Sequence, residues 1–417
     1  MKKILALLLV VVMVLGVFTA CASNAKTDST QEGETTTDTK TEQTNNAEAP
    51  VENTANNEGA PAGLDTQNKV RLSVVGPTTG SSAEYGIGFQ RAAEMMAEKW
   101  NNNGGCDGRE VEIVVYDDKG SIEEDLSLAQ MITEDTTNYA TVGHFAGPVA
   151  VAPIYEEAEM CFVAPAASAV EFSGIGDYSF RNNYTLQLDA KWLTDIAVEM
   201  GYSECGVIYV QTDWGAGALK TLKDELATRD DFKIVAEEAV SESQTDFSVI
   251  VEKFKSQGIN CVMCEAFYPI IAPFSSQIKA EIPDVQLFAP GSVYNDEFLK
   301  LAGADASGLI CTTAFASENE DPTSKAFSDE YYSRYGSYPS GQTAQCYDSL
   351  GLLLQAIDNL GLKQPDGPAL KEELEKITYE GVCGTTTFDE LHDAHKPRWV
   401  VQVADGGGKW NVWGSVE

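Results

Sequence analysis

From residue 70 to the C-terminus, short apolar runs alternate with stretches of helical period, and this rhythm constrains the fold more than any other feature. Residues 70–75, 111–116, 140–145 and 161–164 read as strands. Between the first two, Phe89, Ala93, Met96 and Trp100 mark one stripe of a helix, and residues 123–136 and 149–158 continue the helical pattern. A second cycle follows. Helices over 188–200, 218–228, 247–256 and 271–281 separate strands at 205–210, 234–240, 259–267 and 285–289. A strand at 309–315, helices at 325–335 and 343–360, and strands at 398–403 and 409–413 complete the chain. The β-α-β-α order implies parallel sheets covered by helices. Two such cycles predict an α/β protein with two doubly wound lobes. Ligands of such sheets bind beyond the carboxyl ends of the strands. The loops 76–86, 117–120, 146–148, 165–169, 211–217, 267–269 and 290–294 are therefore where a site is expected.

The N-terminal segment has a different logic. Lys2 and Lys3 precede an apolar run over residues 4–17, too short for the ~20 residues that span a bilayer. This is the pattern of a signal peptide. Phe18-Thr19-Ala20-Cys21 resembles the bacterial lipobox, in which the cysteine is lipidated and becomes the new N-terminus. Residues 22–68 are Thr, Asn, Glu, Ala, Gln and Ser with almost no large apolar side chains, so they cannot offset their own ordering entropy. The expected organisation is a leader (1–20), an acylated disordered spacer (21–68) and a folded head, anchored outside the cytoplasm to the cell membrane.

Composition excludes several functions. A net charge of -36 argues against a nucleic-acid partner, which requires Lys and Arg against phosphate. Only three histidines are present, and His392 and His395 lack a HExxH pattern, so no metal site is expected; both read as part of a solvated turn. His144 reads as a satisfied core histidine. Cys261-Val262-Met263-Cys264 has CxxC spacing, but a strand there puts the two thiols on opposite faces. No nucleophile elbow, Walker loop or complete dinucleotide fingerprint occurs. The chain therefore reads as a non-enzyme with no catalytic residues and no cofactor.

Several stretches in order carry a family resemblance: Val74-Val75-Gly76-Pro77-Thr78-Thr79-Gly80 with Tyr85-Gly86, Asn103-Gly104-Gly105, Val115-Tyr116-Asp117-Asp118, Gly143-His144-Phe145, Pro165-Ala166-Ala167-Ser168, Trp214-Gly215-Ala216-Gly217, Thr245-Asp246-Phe247-Ser248 and Ala344-Gln345-Cys346-Tyr347-Asp348. Together they resemble the leucine/isoleucine/valine-binding family of ABC-transporter substrate-binding proteins. The resemblance implies the type I periplasmic-binding fold, with two lobes joined by a three-stranded hinge. Lobe 1 would comprise residues 69–183 and 316–383, and lobe 2 residues 184–315 and 384–417. It also implies a monomer that captures an amino acid or similar small polar solute by hinge closure and delivers it to a membrane permease.

The resemblance places the ligand carboxylate at Phe145-Ala146-Gly147-Pro148, where a helix N-terminus offers free N–H groups. The family's usual serine is replaced by Gly147, leaving backbone donors. Ala166, Ala167 and Ser168 match the segment that holds the amino-acid head group. Trp214 and Phe267 match covering aromatics from lobe 2, and Tyr85 one from lobe 1. The acidic residue that would pair with an ammonium after Pro290 is replaced by Gly291-Ser292. Glu265, on the neighbouring strand end, is the remaining candidate for that charge. Two alternatives stay open: a receptor that reports occupancy to a membrane signalling protein, and a binder of amide-, urea-like or aromatic solutes.

Overall fold

The computed structural model describes residues 63–416. The leader, Cys21 and the spacer as far as residue 62 lie outside the described residues. The first cycle runs β1 (Asp65–Gly76), α1 (Ala83–Asn102), β2 (Arg109–Asp117), α2 (Ile122–Glu134), β3 (Asn138–Gly143), α3 (Pro148–Glu157), β4 (Phe162–Ala164) and β5 (Ser179–Arg181). These strands form one parallel sheet in the order β2-β1-β3-β4-β5.

The second cycle comprises α4 (Leu186–Glu199), β6 (Glu204–Val210), α5 (Asp213–Leu226), β7 (Lys233–Val240), α6 (Ser248–Ser256), β8 (Cys261–Glu265), α7 (Tyr268–Glu281), β9 (Gln286–Ala289), α8 (Asp296–Ala302) and β10 (Ile310–Thr313). The chain then forms α9 (Pro322–Tyr335), α10 (Gly341–Leu360), α11 (Gly367–Leu374), β11 (Tyr379–Gly381), β12 (Gly384–Phe388), β13 (Ala394–His395), β14 (Arg398–Val403) and β15 (Trp410–Val416). The second sheet has seven strands, β15-β14-β10-β9-β8-β6-β7. Its β6–β10 core is parallel, and β14 and β15 add antiparallel to β10.

Each sheet is buried on both faces, as parallel sheets require. Leu128, Ile132, Val151 and Tyr155 of α2 and α3 cover one face of the first sheet. Phe89 and Met96 of α1 cover the other, joined by Leu350 and Leu353 of α10, which returns from far along the chain. On the second sheet, Leu193, Ile196, Leu219 and Leu222 of α4 and α5 meet Cys205, Cys261 and Phe288. Val251, Phe254, Ile271 and Phe274 of α6 and α7 meet Val262, Cys264 and Cys311 on the opposite face. Cys261 and Cys264 thus lie in separate cores, as the two-residue period of a strand dictates.

β12 pairs with β11, and β13 with β12, in a small three-stranded sheet. Phe180 of β5 packs on Phe388, and Arg181 binds Asp393 through Nε at 2.7 Å. The segment that joins the seven-stranded sheet begins at Arg398. His392, expected in a solvated turn, is buried: its ring stacks on Phe180 at 4.1 Å and its Nε2 lies 3.3 Å from Glu375 Oε1. An apolar ring face beside a carboxylate satisfies both halves of an imidazole. His395 conforms, being mostly exposed.

Candidate functional site

Loops beyond the carboxyl ends of β1, β3 and β4 meet loops beyond those of β6, β8 and β9 along a cleft. Polar caps start the helices there: Thr212 accepts from Gly215 N at the head of α5, and Asn295 accepts from Phe298 N at the head of α8. These caps fix where the adjoining side chains emerge.

Three hydrogen bonds cross the cleft. Trp214 Nε1 donates to Ser168 Oγ at 3.0 Å. Tyr85 Oη donates to the Ser292 carbonyl at 3.0 Å. Tyr268 Oη donates to the Ser81 carbonyl at 3.5 Å. Aromatic rings form a continuous wall beside them. Tyr85 stacks on Phe145 at 4.6 Å, Phe145 meets Phe267 at 6.2 Å, and Phe267 meets Trp214 at 4.7 Å. Tyr85 is fully buried, whereas Phe145, Phe267 and Trp214 keep part of their surface open.

The structure thus brings Tyr85, Phe145, Ser168, Trp214, Phe267 and Ser292 together. Ala166 packs at the edge of the same core, and Ala167 is buried in the core under α2 and α3. Ala146 is half-buried in its loop and Gly147 is buried.

The loop before α3 holds groups that sequence reasoning missed. Gly147 N donates to Asp125 Oδ2 at 2.6 Å, and Phe145 N donates to Asp118 Oδ2 at 3.2 Å. Two internal carboxylates therefore occupy N–H groups expected to be free. Asp125 also binds His144 Nδ1 at 2.8 Å, and Tyr155 Oη lies 2.7 Å from the other ring nitrogen. His144 is a satisfied core histidine. Burial, with the Asp125 charge beside it, pushes the Asp118 carboxyl up to about 7. Nothing local in the sequence signals this, because Asp125 sits inside an ordinary amphipathic helix.

At the other end, Gly291 and Ser292 lie in a 3-10 turn after β9. A Cβ on Gly291 would stand 2.2 Å from Tyr184 Oη and 2.3 Å from the Thr312 carbonyl. Tyr184 Oη donates to that same carbonyl at 2.9 Å. The Tyr184 hydroxyl thus occupies the space that a side chain at 291 would need. Ser292 Oγ is buried without a hydrogen-bond partner.

Glu265 ends β8, two residues before Phe267. It is 8% exposed, and no described residue gives it a hydrogen bond or an ion pair. Burial, then the neighbouring Asp189, pushes its carboxyl up to about 8. Asp189 is itself raised to about 7 by burial, against the opposing effects of its bond to Thr312 Oγ1 and of Arg398. Arg398 lies over the Tyr184 ring at 4.0 Å. No cluster of metal-ligating side chains occurs among the described residues.

Comparison with known proteins agrees with this geometry. Residues 69–408 match the model of a periplasmic binding protein family. The leucine-, isoleucine-, valine-, threonine- and alanine-binding protein of Pseudomonas aeruginosa is 27% identical over 333 residues, covering 78% of this chain and 87% of its own. The isoleucine complex of the branched-chain amino acid transporter substrate-binding protein LivJ from Streptococcus pneumoniae superposes with a TM-score of 0.75 at 24% identity. It covers 83% of this chain and 98% of its own. A solute-binding protein of an ABC transporter from Rhodopseudomonas palustris, in complex with 3,4-dihydroxybenzoic acid, gives 0.74 at 19% identity, covering 84% and 98%.

Proposed function

This chain belongs to the periplasmic binding protein family, and from that premise we propose that it captures an amino acid or similar small polar solute between its lobes and hands it to an ABC permease. It is an extracytoplasmic solute-binding protein of an ABC transporter. In this reading lobe 1 comprises residues 69–183 and 316–383, with 384–395 packed on it, and lobe 2 comprises residues 184–315 and 396–417. The head is a monomer, tethered through an acylated Cys21, and it binds without catalysing a reaction.

The observation that carries the reading is the set of side chains meeting across the cleft, above all Trp214 on Ser168. Hinge closure around a ligand is the standard motion of such a pair of lobes. The relatives named for branched-chain amino acids support an amino-acid-sized solute, and the wall formed by Tyr85, Phe145, Phe267 and Trp214 also suits an aromatic one.

The deciding experiment is a thermal-shift panel of amino acids, amines, amides, urea, small aromatics and sugars on a head beginning near Gln67. A ligand at 100-fold excess over Kd adds about 2.7 kcal/mol of stability. A melt unmoved by every member of the panel refutes capture. Fatty-acid labelling of cells tests Cys21, and unlabelled protein refutes the anchor.

A further inference from the structure

We propose that the captured solute is a small organic cation, a protonated amine or amidinium without a free carboxylate, held against Glu265 inside the aromatic wall. The inference rests on the capture reading and narrows it.

Three observations converge. First, Glu265 is more than nine-tenths buried and has no hydrogen-bond or ion-pair partner among the described residues. A buried carboxyl without a donor is costly unless a ligand supplies one. Second, Phe267 lies two residues beyond Glu265, and its ring, with those of Phe145 and Trp214 packed on it, keeps open surface. Aromatic faces attract cations through their quadrupoles, and such cages are a recurrent device for binding organic ammonium groups. Third, the opposite end of the cleft is poorly prepared for an anion. Phe145 N and Gly147 N already serve Asp118 and Asp125, and a ligand carboxylate there would meet that charge. Gly291 cannot be the site of an acid, because Tyr184 fills its side-chain space.

The groups around Glu265 set its response to pH. Asp189 of α4 is the charged group that acts on it, Tyr209 is its register partner on β6, and Cys264, next to it on β8, points to the opposite face of the sheet. No cation acts on Glu265 among the described residues. A carboxyl raised to about 8 by burial and Asp189 is largely protonated at pH 7. Binding a cation ionises it, so a proton is released. Affinity then rises as pH increases from 6 to 8.5.

Matched pairs test this directly: isoamylamine against leucine, and phenethylamine against phenylalanine, by thermal shift and calorimetry on the soluble head. The expected result is that each amine binds at least about tenfold more tightly than its amino acid. Glu265→Gln should lose at least about tenfold in amine affinity while its unliganded melt stays cooperative. Calorimetry at pH 7 in two buffers of different ionisation enthalpy should report proton release for the wild type and none for Glu265→Gln. Tighter binding of the amino acids, or amine binding indifferent to Glu265→Gln, overturns the proposal. A panel in which only sugars, amides or aromatic acids shift the melt also overturns it, while leaving solute capture intact. A panel in which nothing shifts overturns both.

Discussion

The indole of Trp214, at the head of α5, donates to Ser168 Oγ beyond β4, one of the three hydrogen bonds that cross the cleft. Trp214→Ala removes this bond and a large stacking face against Phe267. We expect a loss of about 2–3 kcal/mol in binding, with little change in the melt of the unliganded head. Ser168→Ala removes only the acceptor and should cost about 1 kcal/mol. Calorimetry on both variants, with whichever solute the panel identifies, checks the order.

Gly291→Ala should be poorly tolerated, because its methyl would press on Tyr184 Oη and the Thr312 carbonyl. Overpacking of this kind costs about 1–3 kcal/mol. Tyr184→Phe in the same chain removes one of the two obstacles. The double variant should therefore recover part of the loss, and a double-mutant cycle of chemical denaturation measures the coupling. Strict additivity would contradict the packing described.

Acidification should stabilise the unliganded head. Burial raises Asp118 and Asp189 to about 7 and Glu265 to about 8, well above the ordinary carboxylate range. A raised folded-state value means that the native protein binds the proton more tightly than the unfolded chain does. That contribution is full below about pH 4 and is lost as pH rises through 7 to 8. The melting temperature should consequently climb as pH falls from 8 to 6. A melt that falls over this window would refute the burial of these carboxyls as the cause of their raised values.

Asp348 offers a test of the connection between lobes. Its carboxylate lies fully buried on α10 and accepts the N–H groups of Val382 and Cys383, each at 2.8 Å, just where the chain turns toward β12. Asp348→Asn turns an amide nitrogen toward one of those donors. We expect about 2 kcal/mol of destabilisation by denaturant titration. Gln345→Ala, one turn away, should act through Asn182 and Asn183, whose contacts with it tie α10 to the segment between β5 and α4.

The fold was legible because its information is periodic. The α1 stripe of Phe89, Ala93, Met96 and Trp100 and the apolar runs of β3 and β8 carry it in residues close together in sequence. The small β11-β12-β13 sheet was not legible: strands of two to five residues show no usable period, and their place is set by Arg181 reaching Asp393 far along the chain. His392 misled for the same reason, since its polar neighbours in sequence say nothing of Phe180 beneath it. At the site, the family resemblance pointed to Trp214, Phe267 and Tyr85. Asp118, Asp125 and Tyr184 stayed hidden, because what they do depends on which backbone N–H or empty volume the fold brings to them.

The alternation along β8 has a use beyond excluding CxxC chemistry. Cys205 and Cys261 report from one side of the second sheet and Cys264 and Cys311 from the other, each pair buried without a disulfide. The chain thereby carries two native sets of reporters, one for each layer of a single lobe. Timed alkylation followed by peptide mass spectrometry can ask which layer loosens first, with no label added to the protein.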